Sequence, residues 1–98
     1  MDYKPWTTIA VDEIIDLYLK KERDMWSDEF KKHQVGLALK IRQLRLDIGL
    51  SQEKLAMQAN IDRTLVSKIE RKLANPTLEV LVKIALSLNV TVDYLIKL

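Results

Sequence analysis

The chain contains no cysteine, and only two glycines and two prolines among its 98 residues. Without cysteine there can be no disulfide framework, and a structural zinc site would lack thiolates. So little glycine and proline leaves small room for hairpin turns or long irregular loops. Purely apolar runs stop after a few residues, far short of the ~20 that cross a bilayer. Asp2 and the charges that follow interrupt any secretion signal at the start. There is one histidine, His33, no glycine-rich phosphate loop and no evident nucleophile–base set. An enzyme is therefore not expected, and neither is a cofactor, a metal or a membrane partner. A reducing cytoplasm is the expected setting.

What is present points to helices. Hydrophobic residues make up 48% and charged residues 31%, a balance that suits a folded globular chain. Leu, Ile, Lys, Glu and Ala recur, all good helix formers or helix-core residues. The length fits one small domain, and the expected fold class is all-α. The net charge is only +2, but it is unevenly spread: residues 1–34 sum to −2 and residues 35–98 to +4. A basic C-terminal part can attract phosphates, and an acidic N-terminal part cannot.

Helix boundaries can be placed from capping chemistry. Ser51, Asp62, Thr77 and Thr91 are good N-caps, and Pro76 biases Asn75 away from helical geometry. Gly49, Asn60 and Asn89 can take the left-handed conformation that ends a helix. These signals predict helices over about 37–48, 51–59, 62–71, 78–88 and 91–97. Leu37, Ile41, Leu44 and Ile48 should share one face, as should Leu78, Leu81, Val82, Ala85 and Leu88. Val92, Leu95 and Ile96 should point inward from the last helix. Leu55, Ala56 and Ala59 should meet Val66 and Ile69 across the tight Asn60-Ile61 link.

The run Gly49-Leu50-Ser51-Gln52-Glu53-Lys54-Leu55-Ala56, followed by Asn60 through Arg71, resembles the Cro/repressor-type (XRE) helix-turn-helix family. Asn75-Pro76-Thr77-Leu78-Glu79 and Ile84-Ala85 fit the same pattern, so the resemblance covers residues 36–98. It implies a five-helix, phage-repressor-like domain over residues 35–98 that binds double-stranded operator DNA. In that family the second helix of the motif enters the major groove. Carried over, Arg63, Thr64, Ser67 and Lys68 would face base edges, with Arg63 able to donate two hydrogen bonds to guanine. Gln52 would contact phosphate, and Arg45, Arg71 and Lys72 would lie near the backbone. The resemblance also pairs Arg45 with Glu70 in a partly buried salt bridge. Lys72 departs from the usual glycine, so it must accept turn geometry or the turn must differ. Asn60 also stands where the turn usually has glycine.

Residues 1–34 form a separate helical extension in this reading. Val11, Ile14, Ile15, Tyr18 and Leu19 suggest one helix to about Arg23, and a second pattern starts near Trp26. Val35, Leu39 and Leu46 make an apolar stripe that the motif does not need. The economical cover for it is the extension itself, through Ile14, Tyr18, Trp26 or Phe30. A partner anchored on Trp6 or Trp26 is the alternative. In layout the extension is similar to HigA-type antitoxins, which would add a cognate toxin as partner and autorepression as role. The opening Asp62-Arg63-Thr64 is instead similar to controller proteins of restriction–modification systems. A protein-interaction module that has lost DNA binding is the remaining alternative, which the basic Arg63 and Lys68 disfavour. One short recognition helix reads few bases, so a homodimer on an inverted repeat is expected, joined through Leu73 and the last helix or through the N-terminal segment.

Overall fold

The computed structural model describes the backbone of residues 11–98 and the side chains of residues 11–15 and 25–98. Helix α1 spans Val11–Ile48, α2 Gln52–Ala59, α3 Arg63–Glu70, α4 Leu78–Ser87 and α5 Val92–Ile96. No strand occurs among the described residues. The chain divides into two units, Met1–Phe30 and Lys31–Leu98. Trp6 and the side chains of Tyr18 and Leu19 lie outside the described residues.

The two helices expected before residue 48 are one. Nothing between Arg23 and Trp26 breaks a helix: the intervening Asp24 and Met25 offer neither proline nor glycine. In the first unit Trp26 and Phe30, one turn apart, stack with ring centroids 6.3 Å apart at a tilt of 59°. Met25 and Trp26 are nonetheless exposed.

The second unit closes around Ile41, Leu55, Val66, Ile84 and Leu95, each fully buried, with Leu37, Ala56, Ala59, Ile69, Ala85 and Leu88 beside them. Full burial of side chains this size contributes roughly 1.5–3 kcal/mol each. Helix α2 packs on both α3 and α4, and α4 packs on α5. Four residues expected inward are exposed instead: Ile48, Leu78, Val82 and Ile96. On α4 the buried line runs Leu81, Ile84, Ala85, Leu88, which leaves Val82 on the flank and Leu78 at the helix start. On α5 Leu95 takes the buried position, and Ile96 is turned about 100° from it.

Four helices end alike. Gly49, Asn60, Lys72 and Asn89 all have positive φ, at 85°, 55°, 62° and 59°. In each case the next N–H returns to a carbonyl five residues back: Leu50 to Arg45, Ile61 to Ala56, Leu73 to Lys68 and Val90 to Ala85, at 2.8–3.0 Å. This is the Schellman closure. It explains how a chain with two glycines makes so many abrupt turns. Lys72 adopts the turn rather than altering it.

The C-terminal segment is tied to α1 by polar contacts. Lys40 Nζ donates to the Tyr94 carbonyl at 2.7 Å and to the Lys97 carbonyl, and sits 5.1 Å from the Tyr94 ring centre. These carbonyls have no partner within a five-residue helix. His33 Nδ1 lies 3.1 Å from the Ile96 carbonyl, and Gln34 donates to the Ala74 carbonyl at 3.2 Å. A Cβ at Gly36 would come within 3.0 Å of the Leu98 side chain. By contrast Val35, Leu39 and Leu46 stay exposed, at 41%, 62% and 52%.

Candidate nucleic-acid interface

The motif is built from two caps and one left-handed link. Ser51 opens α2 by accepting from the Lys54 N–H at 3.0 Å. Asn60 closes it in the left-handed region, and Ile61, half-buried, turns the chain toward α3. Asp62 occupies the N-cap of α3 with extended geometry, but its carboxylate makes no cap bond. Its backbone carbonyl instead accepts from Leu65 and Val66 at 3.0 and 3.3 Å.

Helix α3 is sharply two-faced. Val66 and Ile69 are buried and Leu65 half-buried against the core. Arg63, Thr64, Lys68 and Arg71 are exposed, and Ser67 lies half-buried among them. Their spacing of one and four residues puts these five on one side. Lys72, just beyond the helix, is exposed as well. Arg71 Nε reaches the Ser67 carbonyl at 3.4 Å, a long contact that leaves most of its guanidinium open.

The one acid within α3 is turned inward and neutralised. Arg45 Nε and Nη2 donate to the two carboxylate oxygens of Glu70 at 2.7 and 2.9 Å. Arg45 Nη1 donates to the Leu50 carbonyl at 2.8 Å, fixing the end of α1 to the start of the motif. The two side chains are only 9% and 2% exposed. Burial alone would push the Glu70 carboxyl up, but hydrogen bonds from Arg45 and Gln52 and the charges of Arg45 and Arg42 outweigh it. The carboxyl is held below the ordinary carboxylate range. The hydrogen bond to Glu70 raises Arg45 in turn, against its burial. Glu70 therefore stays ionised at neutral pH without presenting negative charge on the outer face.

Two residues expected near DNA are held in the buried cluster around Glu70. Arg45 is buried, and its Nε, Nη1 and Nη2 all donate to groups within the motif. Gln52 is half-buried and donates to Glu70 at 3.1 Å, the third member of this cluster. No local signal links Gln52 to a residue eighteen positions away. Among the described residues no group of His, Cys, Asp or Glu could hold a metal ion. No helix among them is long and apolar enough to cross a membrane.

Comparison with known proteins agrees with this geometry. A family model described as helix-turn-helix matches residues 41–95. A hypothetical transcription factor of Neisseria meningitidis serogroup B is 46% identical over 54 residues, 55% of this chain and 51% of that protein. The control protein C.BamHI of Bacillus amyloliquefaciens is 44% identical over 52 residues, 52% of this chain and 64% of that protein. The chain thus spans between half and two thirds of these relatives. The crystal structure of the Neisseria factor superimposes with a TM-score of 0.63 at 41% identity, covering 65% of this chain and 74% of that one. The restriction-modification controller protein C.AhdI of Aeromonas hydrophila gives 0.61 at 35% identity, covering 63% and 94%. The family match begins at Ile41, so it lends nothing to a likeness of residues 1–34 to antitoxins.

Proposed function

Because the chain belongs to the Cro/repressor-type helix-turn-helix family, and is similar to a hypothetical transcription factor and a restriction-modification controller protein, we propose that it is a sequence-specific regulator that binds double-stranded DNA through α3. The observation that carries this reading is the split character of that helix. One face anchors in the core through Val66, Ile69 and the neutralised Glu70, and the other offers Arg63, Thr64, Ser67 and Lys68. Arg63 stands at the first position of α3, where the free N–H groups of a helix end also favour phosphate. It reads guanine by two parallel hydrogen bonds, and Thr64 contacts the adjacent base or a thymine methyl. Lys68, Arg71 and Lys72 supply phosphate contacts that set the register.

The protein acts as a homodimer on an inverted repeat with half-sites about 34 Å apart, since one short helix cannot specify a useful site alone. Among biological circuits, the likeness to control proteins such as C.BamHI and C.AhdI favours a controller of a restriction–modification operon. The Asp62-Arg63-Thr64 opening of α3 supports the same reading.

Selection of duplexes from a random pool, followed by fluorescence anisotropy at moderate salt, tests the proposal. A selected duplex should bind 10³-fold or more tighter than random DNA of equal length. Equal affinity for both would sink it.

A further inference from the structure

We propose that Arg42, on α1, is a further phosphate-gripping residue of this interface, holding the DNA backbone beside the Glu70 cluster while α3 lies in the groove. The proposal rests on the reading of α3 given above and uses only residues of the second unit.

The last turns of α1, from residue 40 onward, carry three cations, and the fold commits two of them. Lys40 donates to the carbonyls of Tyr94 and Lys97, so its charge is held at the C-terminal segment. Arg45 is matched by Glu70 and bound to the Leu50 carbonyl. Arg42 is exposed, and among the described residues no hydrogen bond or ion pair holds its guanidinium.

Helix geometry decides the side on which Arg42 stands. At about 100° per residue it lies ~60° around α1 from Arg45 and ~160° from Lys40. Arg42 therefore flanks the side of α1 that meets Glu70, away from the side tied to α5. Its charge reaches Glu70, where it helps to hold the carboxyl below the ordinary range. Three helices converge on that carboxylate: α1 through Arg45, the start of α2 through Gln52, and α3, which carries it near its end.

The charges gathered there do not cancel. Glu70 offsets Arg45 within the buried pair. Arg42 stays exposed, as do Arg71 and Lys72, which directly follow Glu70. No acid occurs between Glu29 and Asp47, and Asp47 accepts from Gln43. Glu53, the neighbour of Gln52, lines a shallow depression with Asn60 and Arg63, beside the start of α3. Exposed cations without counter-charge favour a polyanion. Arg42 belongs to α1, so with α3 occupying the groove it meets the sugar–phosphate edge rather than the bases. A guanidinium can hold phosphate through two parallel hydrogen bonds. Arg42 thus adds affinity and register, and no sequence preference of its own.

Arg42→Gln tests this on the full chain, because glutamine keeps a long, helix-compatible side chain and removes the charge. One lost phosphate contact makes the slope of log K against log salt shallower by about 0.9, which corresponds to roughly eightfold weaker binding at 0.1 M salt. Anisotropy titrations should show this loss on the selected duplex and on random DNA alike, with the single-base preference profile unchanged. Arg42→Lys should restore the slope. Lys97→Ala, which removes an exposed cation at the C-terminal end, should leave the slope as in the parent. An unchanged slope for Arg42→Gln, or an equal change for Lys97→Ala, would overturn the contact. So would a preference lost at one base pair, the mark of base reading. Melts followed by circular dichroism should match the parent's, and a large fall would mark Arg42 as a support of the fold instead. A parent chain that binds selected and random duplexes equally would defeat the reading of α3, while the slope on random DNA would still decide Arg42.

Discussion

Lys72→Gly should make the protein more stable and a poorer DNA binder, and both changes can be worked from the turn after α3. Lys72 holds φ at 62°, a conformation that costs an L-residue about 1–2 kcal/mol. Glycine removes that cost but gives back roughly 0.5–1 kcal/mol through the greater freedom of its unfolded chain. The net gain should be about 0.5–1 kcal/mol. In a domain of this size that raises Tm by roughly 3–6 °C. The substitution leaves both closing bonds in place, since the Leu73 and Lys72 N–H groups reach the Lys68 and Ile69 carbonyls whatever the side chain. It also removes an exposed cation just beyond α3. If Lys72 touches one phosphate, the slope of log K against log salt should become shallower by about 0.9. Lys72→Ala is the control: it removes the same charge and keeps the strained backbone, so its Tm should not rise. Thermal melts by circular dichroism, with anisotropy titrations over a range of salt, read both effects. A Tm for Lys72→Gly equal to or below that of Lys72→Ala would refute the strain argument.

Further outcomes follow from the same geometry. Glu70→Gln leaves buried Arg45 without its counter-charge and should cost about 3–5 kcal/mol of stability, measured by urea unfolding. The pH dependence has a definite sign: Glu70 titrates lower in the folded chain than unfolded, so its stabilisation is complete above the ordinary carboxylate range and fades as pH falls through its depressed value. The stability gap between parent and Glu70→Gln should therefore narrow in acid, and a gap that widens would contradict the assignment. Arg63→Ala should cost roughly 1–3 kcal/mol on the preferred duplex and flatten preference at one base pair, read by comparing single-base variants of the site. Ala56→Val should destabilise by about 1–3 kcal/mol, because Ala56 is 3% exposed within the core, where added methyls force neighbouring side chains to shift.

What the sequence made legible was mostly local. Ser51, Thr77 and Thr91 each cap the third residue beyond them, and Asn60 and Asn89 take the left-handed turn, because these outcomes depend on neighbours within five positions. The Arg45–Glu70 pair came from family resemblance rather than from spacing, and the structure contains it. Non-local contacts stayed hidden. Nothing near Gln52 indicates that its amide is committed to Glu70, and nothing near Lys40 shows that it caps carbonyls more than fifty residues away. The continuity of α1 was missed for a different reason: the change in polarity near residue 24 looked like a boundary, yet polarity does not end a helix when backbone geometry is unopposed. The exposed Leu78 and Val82 show the limit of periodicity, which marks a favoured face but not how far along it a partner reaches.

The division of labour within α3 bears on how such a protein could acquire new targets. Its mounting consists of Val66, Ile69 and Glu70, while Arg63, Thr64 and Lys68 are exposed on its other side. Arg63, Thr64 and Lys68 can therefore be exchanged in combination, by mutation or in a library, at little expense to folding. On the proposed mode of binding, a duplicated gene could drift to a different operator while keeping the same scaffold, and retargeting by design would begin with those three codons.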